Sequence, residues 1–214
     1  MKNEIRIDIV SDVSCPWCVI GYRSLQSALE EAGVAPQTNL NWLPFELNPD
    51  MPKQGQNISE HIQQKYGSTA EQSAANRENI MQRGLDVGYE FNFSEDGRIY
   101  NTFDAHRLLH WAKQFDLQTE LKLAFFNLYF QQRKDPSDHA TLIECAESVG
   151  LDPKPAKDVL ESDRFTQEVR EQQDQSQQHG ISAVPAFIFN DKYLVSGGQP
   201  KDVFIDLIKK LDSE

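Results

Sequence analysis

Residues 15 to 18 read CPWC, two thiols separated by a proline and a tryptophan. Cysteines at this spacing serve as half of a metal clip, as a structural crosslink, or as a redox pair. A structural zinc takes four nitrogen or sulfur ligands, usually from two such pairs. Here the third cysteine, Cys145, stands alone, with His139 six residues before it at no zinc-finger spacing, so no metal is expected. The opening MKNEIRIDIVSDVSCPWC carries Glu4, Arg6, Asp8 and Asp12, which interrupt the apolar run a secretory leader needs. The expectation is therefore a cytoplasmic protein, and in a reducing compartment a close pair is more often catalytic or metal-binding than a permanent crosslink.

The surroundings of the pair favour redox chemistry. EIRIDIV at 4–10 alternates Ile5, Ile7 and Ile9 with Arg6 and Asp8, a strand pattern. In IGYRSLQSALEEAG, Ile20, Leu25, Ala28 and Leu29 recur at helical spacing and Gly33 suits a stop. The pair thus follows a strand and opens a helix. With Cys15 as N-cap, Pro16 falls at N1, where its missing N–H costs nothing. The Cys15 sulfur then faces the N–H groups of Trp17 and Cys18. Those donors and the helix dipole stabilise a thiolate, the attacking species in disulfide exchange. Cys18, one turn deeper, can close a disulfide at ordinary Cα separation. Cys15 is expected to attack and Cys18 to resolve; a coincidental pair of buried thiols is the bland alternative.

The elements that must position the pair come from both ends of the chain. NLNWLPFEL at 39–47 reads as a second strand, with Pro44 weakening its interior or marking an edge, so the opening is β-α-β. NPDMPKQGQN is a loop. From about Ile58 to Gln178 helical patterns dominate, with Asp138 and Asp163 as expected N-caps, Gly150 and Gly180 as stops, and glutamine-rich 172–178 as an exposed helix face. Strand patterning returns at AFIF and KYLVSG, joined at Asn190-Asp191 as a hairpin. Pro200 then starts an amphipathic helix with Val203, Phe204, Leu207, Ile208 and Leu211 on its apolar face. The expected class is α/β, with residues 1–55 and 179–214 sharing one sheet and 56–178 forming an inserted all-helical domain.

A chain of 214 residues can bury a sizeable core without a staple, and 39% hydrophobic with 25% charged residues is ordinary for a soluble globular protein. The net charge of -12 repels phosphate backbones and anionic lipid, which argues against nucleic acid and membrane as partners. No window approaches the length of a transmembrane helix.

Three stretches, DVSCPWCVIG, NTFDAHRLLHWA and GISAVPAFIFN followed by SGGQ, make the chain resemble the DsbA-like branch of the thioredoxin superfamily over essentially its whole length. Within it, the FrnE-like proteins are most similar, grouped with 2-hydroxychromene-2-carboxylate isomerases and kappa-class glutathione transferases. The resemblance implies a thioredoxin-like fold with a helical insertion and a cis Val184-Pro185 bond against the cysteines. Val184 backbone groups would then hold an extended substrate segment; a trans turn at Pro185 is what the residues alone suggest. Pro16 and Trp17 would tune the pair. Where periplasmic DsbA has a histidine between its cysteines, Trp17 supplies no cation, so a less depressed Cys15 pKa and a less oxidising potential are expected.

The activity so implied is thiol-disulfide exchange with protein or small thiol substrates through a Cys15 mixed disulfide, requiring no cofactor, with glutathione as a candidate redox partner. Two rivals stand beside it. Ser14, next to Cys15, keeps open a glutathione-dependent isomerase or transferase like the serine-bearing relatives, and the groove could belong to a peptide-binding chaperone. His106 and His110, four apart on one helix, are candidates for helix packing or for lining a substrate groove; the glutamate of a zinc hydrolase is missing. Asn101, Asp104 and Arg107 are assigned no chemistry, and Cys145 is expected to be an unreactive buried thiol.

Overall fold

The structure is a computed structural model and describes residues 4–213; residues 1–3 and 214 of the expected sheet-forming portions lie outside the described residues. Strand β1 (Ile5–Ser11) runs into helix α1 (Pro16–Glu31), which returns the chain to β2 (Thr38–Pro44) parallel to β1, from Ile5 opposite Thr38 to Ser11 opposite Pro44. Ile5, Ile7 and Ile9 point into the core. Asp8 on the other face is also covered, its carboxylate held by Arg6 at 2.6 Å and accepting from Asn41 at 2.7 Å.

At the far end of the chain, β5 (Ala186–Phe189) and β6 (Tyr193–Ser196) form the expected hairpin. Asn190 and Asp191 take the left-handed conformations, φ 50° and 54°, that a tight hairpin turn requires. β5 lies antiparallel to β1, with Val10 opposite Ala186 and Ile7 opposite Phe189, giving the sheet order β2-β1-β5-β6. Helix α9 (Lys201–Asp212) packs beside α1, and its Phe204 ring meets Phe187 at 5.0 Å and Phe189 at 6.4 Å. The apolar face differs from the expected one. Phe204 anchors the helix with Ile205 and Ile208 buried beside it, which turns Val203 outward, 40% exposed.

The middle of the chain supplies α2 (Ile58–Tyr66), α3 (Ala70–Asp86), α4 (Phe103–Ala112), α5 (Gln118–Phe130), α6 (His139–Ser148), α7 (Pro153–Leu160) and α8 (Thr166–Gln178). Between them a ribbon of β3 (Gln56–Asn57) and β4 (Arg98–Ile99) is too short to leave a period in the sequence. Asp138 caps α6, accepting from the Thr141 N–H at 2.9 Å. Asp163 does not cap α8. The turn before that helix is gathered instead by the buried Arg107 guanidinium, which donates to the carbonyls of Val159, Ser162 and Arg164, so Phe165, at φ 63°, precedes the helix. Gly150 and Gly180 end helices at φ 94° and 78°. The glutamine face of α8 is largely exposed, except that Gln173 turns inward to Glu46.

Helix α5 joins the two halves of the core. Phe126 and Phe130 pack into the cluster around the sheet, whereas Leu121 and Phe125 pack with Leu108, Leu142 and Val159 among the helices. The Gln118 side chain pairs with β2 as a strand would, accepting from the Trp42 N–H at 2.9 Å and donating to the Trp42 carbonyl at 3.0 Å. Among the described residues no helix is long and apolar enough to cross a membrane.

Truncating Phe204 to alanine removes a fully buried ring that touches both β5 aromatics. The expected loss is about 3–5 kcal/mol, read as a lower urea midpoint with an unchanged slope; a shift under about 1 kcal/mol contradicts this account of the α9 contact.

Candidate active site

Cys15 is the N-cap of α1, extended at φ -97° and ψ 110°, and Pro16 follows at N1, as the sequence predicts. The sulfur itself makes no capping hydrogen bond; the Cys18 N–H donates to the Cys15 carbonyl at 3.1 Å. Of the expected cradle of N–H groups only the Cys18 N–H acts on the sulfur, and burial outweighs it. The Cys15 thiol turns to the other end of the chain and donates to the Val184 carbonyl at 3.7 Å, immediately before a cis Val184-Pro185 bond. Cys15 is 3% exposed and Cys18 fully buried.

Close backbone approach makes this meeting of segments feasible. A Cβ on Gly21 would come within 2.9 Å of the Phe187 ring and 3.2 Å of Pro185, so α1 lies against the proline only because residue 21 has no side chain. The Gly197 N–H donates to the Pro185 carbonyl at 2.8 Å, and the half-buried Trp17 indole rests on Gly198, where a Cβ would sit 3.0 Å from it. Pro16, also half-buried, completes a rim made of the α1 start, the Val184-Pro185 step and the SGGQ loop.

Beneath the pair lies a polar layer built from Ser11, Asp12, His106 and Lys122. Asp12 accepts from the N–H groups of Leu47 at 2.7 Å and Ser14 at 3.3 Å, and His106 Nε2 stands 3.6 Å from its other side. Burial works to raise the Asp12 carboxyl, but His106 and the Leu47 N–H outweigh it and hold the group below its ordinary value. Lys122 projects from α5 with its side chain buried, Nζ 3.5 Å from the Ser11 carbonyl and over the rings of Phe126 at 5.0 Å and Trp42 at 5.4 Å. Burial lowers Lys122 to about 8, against the upward pull of Cys18, Asp12 and Cys15.

These charges correct the expectation of a low-pKa Cys15. Burial pushes the Cys15 thiol up, as do Cys18 and Asp12, against the Cys18 N–H. Burial also opposes ionisation of Cys18, but hydrogen bonds from Cys15 and Ser11 and the charge of Lys122 prevail, so Cys18 is lowered. The two thiols titrate as a pair. Ionisation is thus favoured at Cys18 over Cys15; when it occurs the Cys15 S–H turns from Val184 to the thiolate, and passing that proton across puts the negative charge at the rim.

His106 and His110 are brought to one small cavity, but His106 is 3% exposed and faces Asp12, so a substrate groove is not its place. His110 is half-buried against Phe165, ring centres 5.1 Å apart. Asn101 accepts from the Phe103 N–H at the start of α4, and Asp104 joins Arg107 to His139, which are structural roles. Cys145 lies in the helical core, its thiol pushed up to about 11 by burial. Sequence reasoning missed Asp12 and Lys122. The signal for Lys122 was a lone cation within the apolar run LKLAFFNLYF; Asp12 gave none beyond lying three residues before Cys15.

Residues 6–209 match the DSBA-like thioredoxin domain. The uncharacterized protein YwbO of Bacillus subtilis (strain 168) is 31% identical over 202 residues, 94% of each chain. A probable DsbA oxidoreductase, SCO1869 from Streptomyces coelicolor, superposes with a TM-score of 0.92 at 31% identity, covering 98% of this chain and 91% of that one. The cytosolic disulfide reductase DsbM from Pseudomonas aeruginosa, solved with GSH, shares the fold at a TM-score of 0.68 and 14% identity over 96% and 98% of the two chains.

Because the folded Asp12 value lies below its ordinary 3.8, its contribution to stability is complete above the unfolded value and is lost as pH falls through the folded one. Asp12→Asn, which cannot titrate, is expected to cost about 1–3 kcal/mol near neutrality. It should also flatten the acid side of the stability profile, measured as urea midpoints from about pH 3 to pH 6. An acid limb as steep as the parent's contradicts the assignment.

Proposed function

Since the chain belongs to the DSBA-like thioredoxin family, with a thioredoxin fold and a helical insertion, we propose that it is a thiol-disulfide oxidoreductase working through Cys15 and Cys18. The observation that carries this reading is the Cys15 thiol held at the Val184 carbonyl beside cis-Pro185, with Cys18 one turn deeper. In the oxidising direction for the pair, Cys15 Sγ attacks one sulfur of a substrate disulfide. The substrate S–S bond breaks, one substrate thiolate leaves, and a Cys15 mixed disulfide forms. Cys18 Sγ then attacks Cys15 Sγ, forming the Cys15-Cys18 disulfide and releasing the second substrate thiolate. The reverse sequence oxidises a substrate dithiol, and microscopic reversibility gives the same residues the same places.

The near-complete burial of Cys15 favours a substrate presented as an extended segment along Val184, or a small thiol such as glutathione, over a bulky folded surface. We place the protein in the cytoplasm, the compartment of the cytosolic DsbM reductase that shares its fold. Two intact cysteines favour exchange over the transferase chemistry of serine-bearing relatives. A chaperone would have no use for the charged layer under the thiols.

In glutathione buffers of graded ratio the protein is expected to interconvert between dithiol and Cys15-Cys18 disulfide, followed by tryptic mass mapping. Cys15→Ser should abolish insulin reduction, and Cys18→Ala should accumulate a Cys15-glutathione mixed disulfide. Retained turnover in Cys15→Ser, or no Cys15-Cys18 disulfide at any ratio, refutes the proposal.

A further inference from the structure

Lys122 is the charged group least accounted for by the fold. It is 1% exposed, rises from a helix whose neighbouring positions are Leu121, Leu123, Phe125 and Phe126, and makes no ion pair among the described residues. Its one hydrogen bond, to the Ser11 carbonyl, is long at 3.5 Å. Removing an ammonium from water costs several kcal/mol unless a negative charge compensates. A lysine kept only for packing would be better replaced by methionine. The negative groups facing it are Cys18 and Cys15 from α1 and Asp12 from the β1-α1 loop. Asp12 is already engaged by Leu47, Ser14 and His106. His106 and His110 from α4 and Gln172 from α8 line the same small cavity as Lys122, and from β2 the Trp42 ring lies under its ammonium.

The cysteine thiolate is thus the partner of the ammonium, and it exists only while the pair is reduced. When the disulfide closes the thiolate is gone, and the desolvated ammonium keeps only Asp12, a carboxylate already engaged by other donors. We propose that Lys122 is a redox-linked proton site: it holds a proton while the pair carries a thiolate and surrenders it when Cys15 and Cys18 join. This rests on the oxidoreductase reading above. The lowering of Lys122 toward neutrality by burial is in keeping with it.

The step balances. The reactive form of the pair has one thiol proton at Cys15 and one thiolate at Cys18, with the Lys122 ammonium beside it. Reducing a substrate disulfide transfers two electrons, and the two departing substrate thiolates take up two protons from solvent. Cys15 and Lys122 release those two protons. Lys122 borders a cavity of about 10 Å³ shared with His106, His110, Gln118 and Gln172, about the room of one water. His106 Nε2, buried and 3.6 Å from Asp12, borders it. Lys122 is a positioning residue for the thiolate, since its charge acts through Cys18.

The wild-type protein tests this directly. With lysine labelled at 13Cε, the buried Lys122 resonance is titrated in the dithiol and disulfide states prepared with dithiothreitol and oxidised glutathione. Its midpoint is expected to fall by at least one pH unit, a tenfold loss of proton affinity, on oxidation. Equal midpoints overturn the proposal. Two variants give independent readouts. Lys122→Met should lower the thiolate fraction, read as absorbance at 240 nm, by at least tenfold at neutral pH. Lys122→Arg should restore the thiolate but release no proton. Its reduction potential should therefore fall by about 30 mV per pH unit, whereas the parent's, with two protons released, falls by about 60 mV, so that below the thiol pKa of glutathione the equilibrium constant with glutathione changes tenfold per pH unit in the variant and not at all in the parent. A thiolate fraction unaffected by Lys122→Met, or equal slopes in the parent and a folded Lys122→Arg, overturns the proposal. Should the arginine not fold, the wild-type titration decides. A disulfide that forms normally with unmoved Lys122 midpoints defeats the proton site and leaves the oxidoreductase standing; a disulfide that never forms defeats both.

Discussion

The antiparallel register of β1 with β5 fixes everything that happens at the thiols. It is set by Val10 opposite Ala186, and it carries Pro185 to the end of the strand from which the CPWC segment departs. A slip of one residue would turn β5 over against β1, moving Phe187 and Phe189 out of the core and the proline away from Cys15. The aromatic contact of Phe204 with both rings makes that slip costly, so α9, packed beside α1 on the same face of the sheet, guards the active site. Residues 169 apart in sequence meet because three hydrophobic side chains will tolerate no other pairing.

Below this frame the helical segment contributes charge as well as bulk. Its α5 divides its side chains between the two core clusters and sends Lys122 to the underside of the dithiol, while α4 sends His106 to Asp12. The active site therefore has a rim drawn from the sheet-forming ends of the chain and a floor drawn partly from the helices. The apolar setting amplifies each charge in that floor, which is why three or four buried polar groups can decide where the pair's first negative charge rests.

How much of this could be read from the sequence depended on whether the cause was local. The helix opening at Pro16, the hairpin turn at Asn190-Asp191 and the cap at Asp138 depend on a few adjacent residues, and each lies where the pattern put it. Asp163 satisfied the same local rule, but Arg107, more than fifty residues away, claimed the carbonyls of that turn. Val203 and Ile205 exchanged places because the rotation of α9 follows the pocket that Phe204 fills, which no periodicity encodes. At the site, both cysteines and the proline were legible from a motif and a resemblance. The orientation of the Cys15 sulfur and the balance of charge between the thiols were not, since they depend on Val184, Ser11 and Lys122 coming from three distant segments.

The Gln118 amide that completes both backbone bonds of Trp42 has a consequence beyond anchoring α5. An outer strand offers a template on which another chain can lengthen the sheet. At Trp42 β2 has already spent that capacity on a side chain. The amide stands in for one residue of an absent fifth strand, and it halts the sheet at four by occupying the place where a stranger's backbone would begin to pair.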